Sequence, residues 1–184
     1  MGTRYLTAAF INGECKVAQY GQYGGYPGEA GVHILRTLSD DKANSLKKTV
    51  SACRFATVEE AEEFDASRDM EEMLFPQMRS TVGSQILPMI LHDGVNVLEN
   101  KLDLVKENWY SWAYVVDFDS GKFEVYKGNN KVRLFKEERF YLDGFVDDSG
   151  VYPPRKVAEF PLEKLPGEDE FIAHIDKQME IIDQ

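Results

Sequence analysis

The sequence has few cysteines and histidines, the residues that form disulfide bonds and most structural metal sites. Its 184 residues include two cysteines, Cys15 and Cys53, and three histidines. A structural zinc site needs about four Cys or His ligands at recognisable spacing, and neither a CxxC nor a Cys–His pattern occurs. We therefore expect two reduced cysteines, no metal centre and no cofactor. A chain of this length buries roughly 70% of its unfolded surface, which is enough for a core without such supports.

Long hydrophobic runs are absent as well. No apolar stretch approaches the ~20 residues that span a bilayer, and the first residues, MGTRYL, lack the apolar core of a signal peptide. These features predict no membrane association and a cytoplasmic location. The hydrophobic fraction of 43% is typical of a globular chain and excludes wholesale disorder.

Positive charge is scarce relative to negative charge. The chain has 21 Lys and Arg against 32 Asp and Glu, a formal net charge of −11. Nucleic-acid backbones are attracted by basic surfaces, so the composition argues against autonomous duplex DNA binding. An acidic surface keeps a protein soluble and also favours approach to a basic partner protein.

Motifs for familiar catalysis are missing too. There is no GxSxG turn for a serine hydrolase, and the three histidines (His33, His92 and His174) fall on separate predicted helices or helix ends. Asp117-x-Asp119 lacks the spacing of a calcium loop and is typical of a hairpin turn. A magnesium site formed by Asp117 and Glu124 is compatible with the spacing, but no other motif supports it.

A β-hairpin is the strongest local signal. Asn12-Gly13 stands between the strand-like segments 4–11 and 14–20, and this dipeptide favours a two-residue hairpin turn. Such a turn pairs Phe10 with Cys15 and Ala8 with Val17. The predicted core face consists of Leu6, Ala8, Phe10, Cys15 and Val17. The opposite, amphipathic face is predicted to carry Tyr5, Thr7, Ala9, Ile11, Glu14, Lys16, Ala18 and Tyr20.

The remaining sequence predicts a single α+β domain. Apolar spacing indicates a helical region over 29–92, with a capping box at Thr57 and Glu60. A further helix is predicted after Ser67, with Met70, Met73 and Leu74 pointing inward. A second hairpin is predicted at 112–128, with short strands at 132–135 and 156–160, and a C-terminal helix at 168–183. We expect one antiparallel sheet built from two hairpins, with the helices segregated from it.

The stretch KVAQYGQYGGYPGEAG, residues 16–31, combines three tyrosines with five glycines. It does not fit the GxGxxG pattern of a dinucleotide site. Tyrosines on a glycine-rich backbone suit contacts to proteins or single-stranded nucleic acid. The alternative is that the glycines make sharp turns and the tyrosines pack back on the sheet. The predicted binding residues are Arg4, Tyr20 and Tyr26.

The segments VAQYGQYGGYPGEAG and SWAYVVDFDSGKFEVYKG resemble those of small proteins carried by phages and other mobile elements. Within that setting the chain resembles type II-A anti-CRISPR proteins that act on the guide RNA of an RNA-guided nuclease. The resemblance implies a bacterial host, a nuclease–guide RNA complex as partner, and truncation of the guide RNA through the N-terminal hairpin. It supplies no motif that fixes a catalytic residue.

Local RNA cleavage by 2′-hydroxyl attack would need a base and a group that stabilises negative charge. The side chains available on the hairpin and loop are Glu14, Lys16, Gln22 and Tyr23, which we take as hypothetical catalytic residues.

Two other functions stay open. One is a hydrolase of the N-terminal-nucleophile type, which would need Thr3 as the first residue of the mature chain. The other is a non-enzymatic acidic accessory protein of a mobile element.

Overall fold

A computed structural model describes residues 2–39, 42–67, 69–70, 73–106, 110–142 and 150–182. The strands in this part of the chain are β1 (Tyr5–Ile11), β2 (Glu14–Gly21), β3 (Arg54–Phe55), β4 (Val97–Leu98), β5 (Trp112–Asp117), β6 (Lys122–Lys127) and β7 (Arg155–Pro161). The α-helices are α1 (Val32–Leu38), α2 (Lys42–Ser51), α3 (Val58–Ser67), α4 (Ile86–His92) and α5 (Glu168–Ile182).

The main sheet has the strand order β2-β1-β5-β6-β7. Both predicted hairpins are present, and β7 adds to the second hairpin at the position predicted for a strand at 156–160. These features confirm the α+β class. The two hairpins meet through β1 and β5, which run parallel. A hairpin turn makes its own two strands antiparallel. It does not determine whether strands from two different hairpins pair parallel or antiparallel.

The predicted strand at 132–135 is wrong, because these residues form a loop. The Asn130 side chain bonds both the amide and the carbonyl group of Val132. These bonds replace a strand ladder, and only a single bridge joins Asn130 to Tyr152.

The first hairpin contains a β-bulge at Lys16 that the sequence did not reveal. Phe10 pairs with Cys15 as predicted, but the next pair is Ala9 with Val17. The extra residue reverses the facing of the rest of β2. Val17 therefore lies on the Tyr5 side of the sheet, and Ala18 on the Leu6 side. The predicted faces were correct for β1 and for Cys15, and wrong from Val17 onward.

Both faces of the sheet are covered. The helix-side core joins the sheet to α1, α2, α4 and α5 and contains, among others, Tyr5, Ala9, Ile11, Val17, Ile34, Leu46, Ile90, Tyr114 and Phe171. The loop-side core lies under loops and the short 3-10 helix Leu102–Val105, and it contains Leu6, Ala8, Ala18, Val105, Tyr110, Ala113, Val115, Tyr126, Leu134 and Phe140. Helices α1, α2, α4 and α5 thus form a layer on one side of the sheet.

The predicted helical region over 29–92 contains α1 to α4, but it also contains β3 and the 3-10 helices Pro76–Met78 and Gly83–Gln85. The capping box is formed, with the Glu60 amide donating to Thr57 Oγ1 and the Thr57 amide donating to the Glu60 carboxylate. Ser67 ends α3 and does not cap a further helix. Its hydroxyl accepts a hydrogen bond from the Leu74 amide, and Met70 and Leu74, which were expected to point inward, are exposed. Residues 68 and 71–72 of that prediction lie outside the described residues.

Candidate interaction site

Two of the five glycines in residues 16–31, Gly21 and Gly25, lie against one buried tyrosine, Tyr5. A Cβ atom on Gly21 or on Gly83 would overlap the side chain of Tyr5, and one on Gly25 would lie 2.6 Å from the Thr3 carbonyl oxygen. Gly83 also has φ +49°, a left-handed conformation that favours glycine. The glycines therefore allow the chain to close around Tyr5, and they do not form a phosphate-binding loop.

The backbone of the loop after β2 is held in place by hydrogen bonds. The Gln22 amide donates to the Ser80 carbonyl at 3.1 Å, and the Gly25 amide donates to the Thr3 carbonyl at 3.0 Å. The buried Tyr114 hydroxyl donates to the Gly25 carbonyl at 2.9 Å. The loop is thus attached to the sheet and to the segment before α4, and its conformation is fixed before any partner binds.

Two tyrosines project from this fixed loop. Tyr23 is 61% exposed and Tyr26 is 58% exposed, both among the most exposed large apolar side chains described. Gln22 Nε2 donates to the Tyr23 hydroxyl at 3.3 Å. Rigid, amphipathic tyrosines lose little conformational entropy on binding, so a pair presented in this way is typical of a recognition surface.

Arg4 and Tyr20 lie near this loop but differ in exposure. Arg4 is exposed, whereas Tyr20 is partly buried and packs against Tyr110 with ring centroids 6.0 Å apart. Burial raises the pKa of Tyr20, although the nearby charge of Arg4 acts in the opposite direction. Because of the bulge, Tyr20 lies on the loop side of the sheet and does not share a face with Tyr5.

The four hypothetical catalytic residues are not brought together. Glu14 and Lys16 form an ion pair of 2.8 Å at the turn end of β2. Gln22 and Tyr23 follow the opposite end of that strand. The eight residues of β2 separate the two pairs by about 25 Å, since a strand rises about 3.3 Å per residue. The hydrogen bond and charge of Lys16 lower the pKa of Glu14, which makes this carboxylate a weaker base.

A network of charged side chains lies on the loop side of the sheet. Arg139 donates to Asp117, and its Nε donates to Glu124 at 2.8 Å. The Tyr126 hydroxyl donates to Glu124 at 2.8 Å, and the Arg139 guanidinium also stacks 4.5 Å from the centre of the Phe10 ring. Buried carboxylates need such partners, because an isolated charge is costly to remove from water.

Arg139 takes the place between Asp117 and Glu124 that a magnesium ion would need. Burial alone would raise the pKa of Asp117, but hydrogen bonds from Arg139 and from the Ser120 amide lower it. Burial and the charge of Glu124 raise the pKa of Tyr126. Within the described ranges, no cluster of three or more His, Cys, Asp or Glu residues is placed to hold a metal ion. The side chain that bridges Asp117 and Glu124 is an arginine.

Sequence patterns gave no sign of Arg139, which follows an irregular segment. The available signal was indirect: Asp117 and Glu124 fall on strands of a buried hairpin, so a compensating cation had to come from elsewhere in the chain.

A second polar group lies between the sheet and α4. The Tyr5 hydroxyl accepts a hydrogen bond from the Ser84 amide at 2.8 Å and donates to Ser84 Oγ at 3.3 Å. His33 Nδ1 lies 3.0 Å from the same Oγ. Burial and the charge of Arg36 lower the pKa of His33. Ser84 is only 6% exposed, and we interpret this group as a packing contact that fixes the segment before α4.

The cysteines and Thr3 add no catalytic geometry. Burial raises the pKa of both Cys15 and Cys53 to about 11, so both are thiols at neutral pH and poor nucleophiles. Neither forms a disulfide. Thr3 is partly exposed next to the Gly25 loop, and the hydrolase hypothesis that needs it stays a prediction.

Comparisons with known proteins give no relative: no protein-family model, curated protein or solved structure matches the chain. Among the helices described, none has the length and apolar character needed to cross a bilayer. The features that bear on function are the exposed tyrosine pair, the charge distribution and the sequence resemblance.

Proposed function

We propose that this protein is an anti-CRISPR inhibitor that acts in the cytoplasm of a bacterial host. It binds an RNA-guided type II nuclease together with its guide RNA and leads to truncation of that RNA. The docking residues are those of the loop after β2, above all Tyr23 and Tyr26.

The observation that carries the proposal is the exposure of these two tyrosines on a hydrogen-bonded backbone. Tyr23 and Tyr26 expose more than half of their surface, while the Gly25 amide and carbonyl are both bonded to the body of the protein. A recognition loop of this kind has already lost its conformational entropy, so binding through it costs less.

The charge distribution supports the same kind of partner. Helix α3 carries four exposed carboxylates, namely Glu59, Glu62, Glu63 and Asp65. RNA-guided nucleases hold their RNA in strongly basic channels. An acidic protein is attracted to such a surface and docks faster at low ionic strength.

The separation of Glu14–Lys16 from Gln22–Tyr23 bears on how the guide RNA would be shortened. A cleavage site that used all four side chains would have to span about 25 Å. We therefore propose that truncation arises within the complex, where docking exposes the guide RNA to cleavage, and that the hairpin acts as a docking element.

A binding measurement tests the docking role. The protein and its double variant Tyr23→Ala/Tyr26→Ala are titrated against the nuclease–guide RNA complex. We expect the variant to bind at least about tenfold more weakly, since two interface tyrosines are lost. Tyr23→Phe/Tyr26→Phe separates the contribution of the rings from that of the hydroxyl groups.

A matched control comes from an apolar side chain of similar exposure outside the loop. Ile181 on α5 is 59% exposed, so Ile181→Ala removes exposed apolar surface at a place that the proposal does not use. Equal binding by the tyrosine variant and the wild type, or an equal loss in the control, contradicts docking through the loop. Binding without any change in the guide RNA would favour the accessory-protein alternative.

A further inference from the structure

The segment 131–136, KVRLFK, is locally basic within an acidic chain, and Glu137 and Glu138 follow it directly. It contains Lys131, Arg133 and Lys136, all exposed, and no carboxylate. It also carries Phe135, which is 76% exposed, the highest value among the large hydrophobic side chains that the structure describes. We call this segment the basic strap.

The strap is anchored to the protein at several points. Asn130 is buried, and its Nδ2 donates to the Val132 carbonyl at 2.6 Å and to the Pro153 carbonyl at 3.1 Å. Leu134 is buried in the loop-side core. The Phe135 amide donates to Glu138 at 2.7 Å. The exposed side chains therefore project from a supported backbone.

The cations of the neighbouring strands lie on the other side of the sheet. Lys127 and Arg155 are directly paired across β6 and β7, and Lys127 Nζ lies 5.1 Å from the centre of the Trp112 ring, which belongs to the helix-side core. The cationic side chains that accompany Phe135 are therefore those of the strap itself.

We propose that the basic strap binds single-stranded nucleic acid, with Lys131, Arg133 and Lys136 contacting phosphates and Phe135 stacking on a base. Cations along a backbone together with an exposed aromatic ring are the general elements of single-strand recognition. The strap is too small to overcome the net charge of −11, so its affinity for free RNA is low and strongly salt-dependent. This inference deepens the proposed function, because the RNA within the complex would be the guide.

A titration that needs no nuclease tests the strap by itself. A labelled polyuridine RNA of about 20 nucleotides is titrated at about 50 mM salt and the binding is followed by fluorescence anisotropy. We expect weak binding, a loss of at least about tenfold for Lys131→Glu/Arg133→Glu/Lys136→Glu, and a loss of about fivefold or more for Phe135→Ala. Removing three phosphate contacts should reduce the salt slope by about 2.

Helix α2 offers the matched control. Lys42, Lys47 and Lys48 are exposed, so their triple change to Glu alters the net charge equally at another place. Equal weakening by both triple variants, or no binding by the wild type at low salt, would overturn the proposal. Because no nuclease is present, either result leaves docking through Tyr23 and Tyr26 to be decided separately. A circular dichroism melt of each variant shows whether it is folded.

Discussion

Asp119 in the second hairpin turn accepts hydrogen bonds from the backbone amides of Asn12 and Gly13 in the first. Each bond is 2.8 Å long and uses a different carboxylate oxygen. The two turns are 106 residues or more apart in the chain, yet this contact joins them where β1 and β5 run parallel. It fixes the alignment of the two hairpins at one end of the sheet.

Asp119→Ala should therefore destabilise the protein by about 1–2 kcal/mol, because two charge-assisted hydrogen bonds are lost at an exposed site. Urea unfolding monitored by circular dichroism measures the change. Asp93→Ala, which removes an exposed carboxylate directly after α4, is the control and should have little effect. Equal stability of Asp119→Ala and the wild type would mean that water replaces the contact without cost.

Arg139→Ala should be more harmful, at about 3 kcal/mol, since it leaves the Asp117 and Glu124 carboxylates without their main cation. Arg139→Lys should restore only part of the loss, because an ammonium group cannot donate to both carboxylates in the same planar arrangement. Denaturant unfolding of both variants provides the measurement. A smaller loss for Ala than for Lys would contradict the proposed role of the guanidinium group.

Gly83→Ala should destabilise strongly, by about 2 kcal/mol or more, because the residue has a left-handed backbone and its Cβ would overlap Tyr5. Gly167→Ala is the matched control, since a Cβ there has no neighbour within 4 Å and no positive φ. Thermal melts of the two variants should separate clearly. Similar melting temperatures would show that the segment around Ser84 readjusts.

The pH dependence of stability should include a contribution from Glu60. Hydrogen bonds from Arg54 and from the Thr57 amide lower the pKa of Glu60 to about 2, against about 4.3 in an unfolded chain. A lowered pKa stabilises the fold above the unfolded value, and this stabilisation is lost as pH falls through the folded value. The stability advantage of the wild type over Glu60→Gln should therefore shrink between about pH 5 and pH 2.

Urea titrations at a series of pH values measure this difference. Arg54→Ala removes the main partner of Glu60. The difference in unfolding free energy between Arg54→Ala and Glu60→Gln should therefore depend little on pH. A difference between wild type and Glu60→Gln that stays constant down to pH 2.5 would contradict the assigned pKa.

The sequence was most informative where a local pattern determines local structure. Asn12-Gly13 predicted the first hairpin, and Thr57 with Glu60 predicted the start of α3. The bulge at Lys16 could not be seen, because alternation continues through it in the sequence and only the burial of Val17 and Ala18 on opposite sides reveals it.

The site was less predictable than the fold because its contacts are distant in sequence. The glycines of residues 16–31 could be recognised as unusual, but the reason for Gly21 and Gly25 is Tyr5, which also lies against Gly83, far along the chain. The exposure of Tyr23 and Tyr26 is compatible with the predicted recognition loop, whereas Tyr20 turned inward because of the bulge. The exposed cations of the basic strap were not predicted, because residues 132–135 were expected to form a strand.

The most direct test of the proposed function measures guide-RNA length and target cutting together. The protein is incubated with the type II nuclease loaded with end-labelled guide RNA, and target DNA is then added. The account predicts shortened guide RNA and loss of target cutting with the wild type, and weaker effects with Tyr23→Ala/Tyr26→Ala. Full-length guide RNA and undiminished target cutting at saturating protein would contradict it.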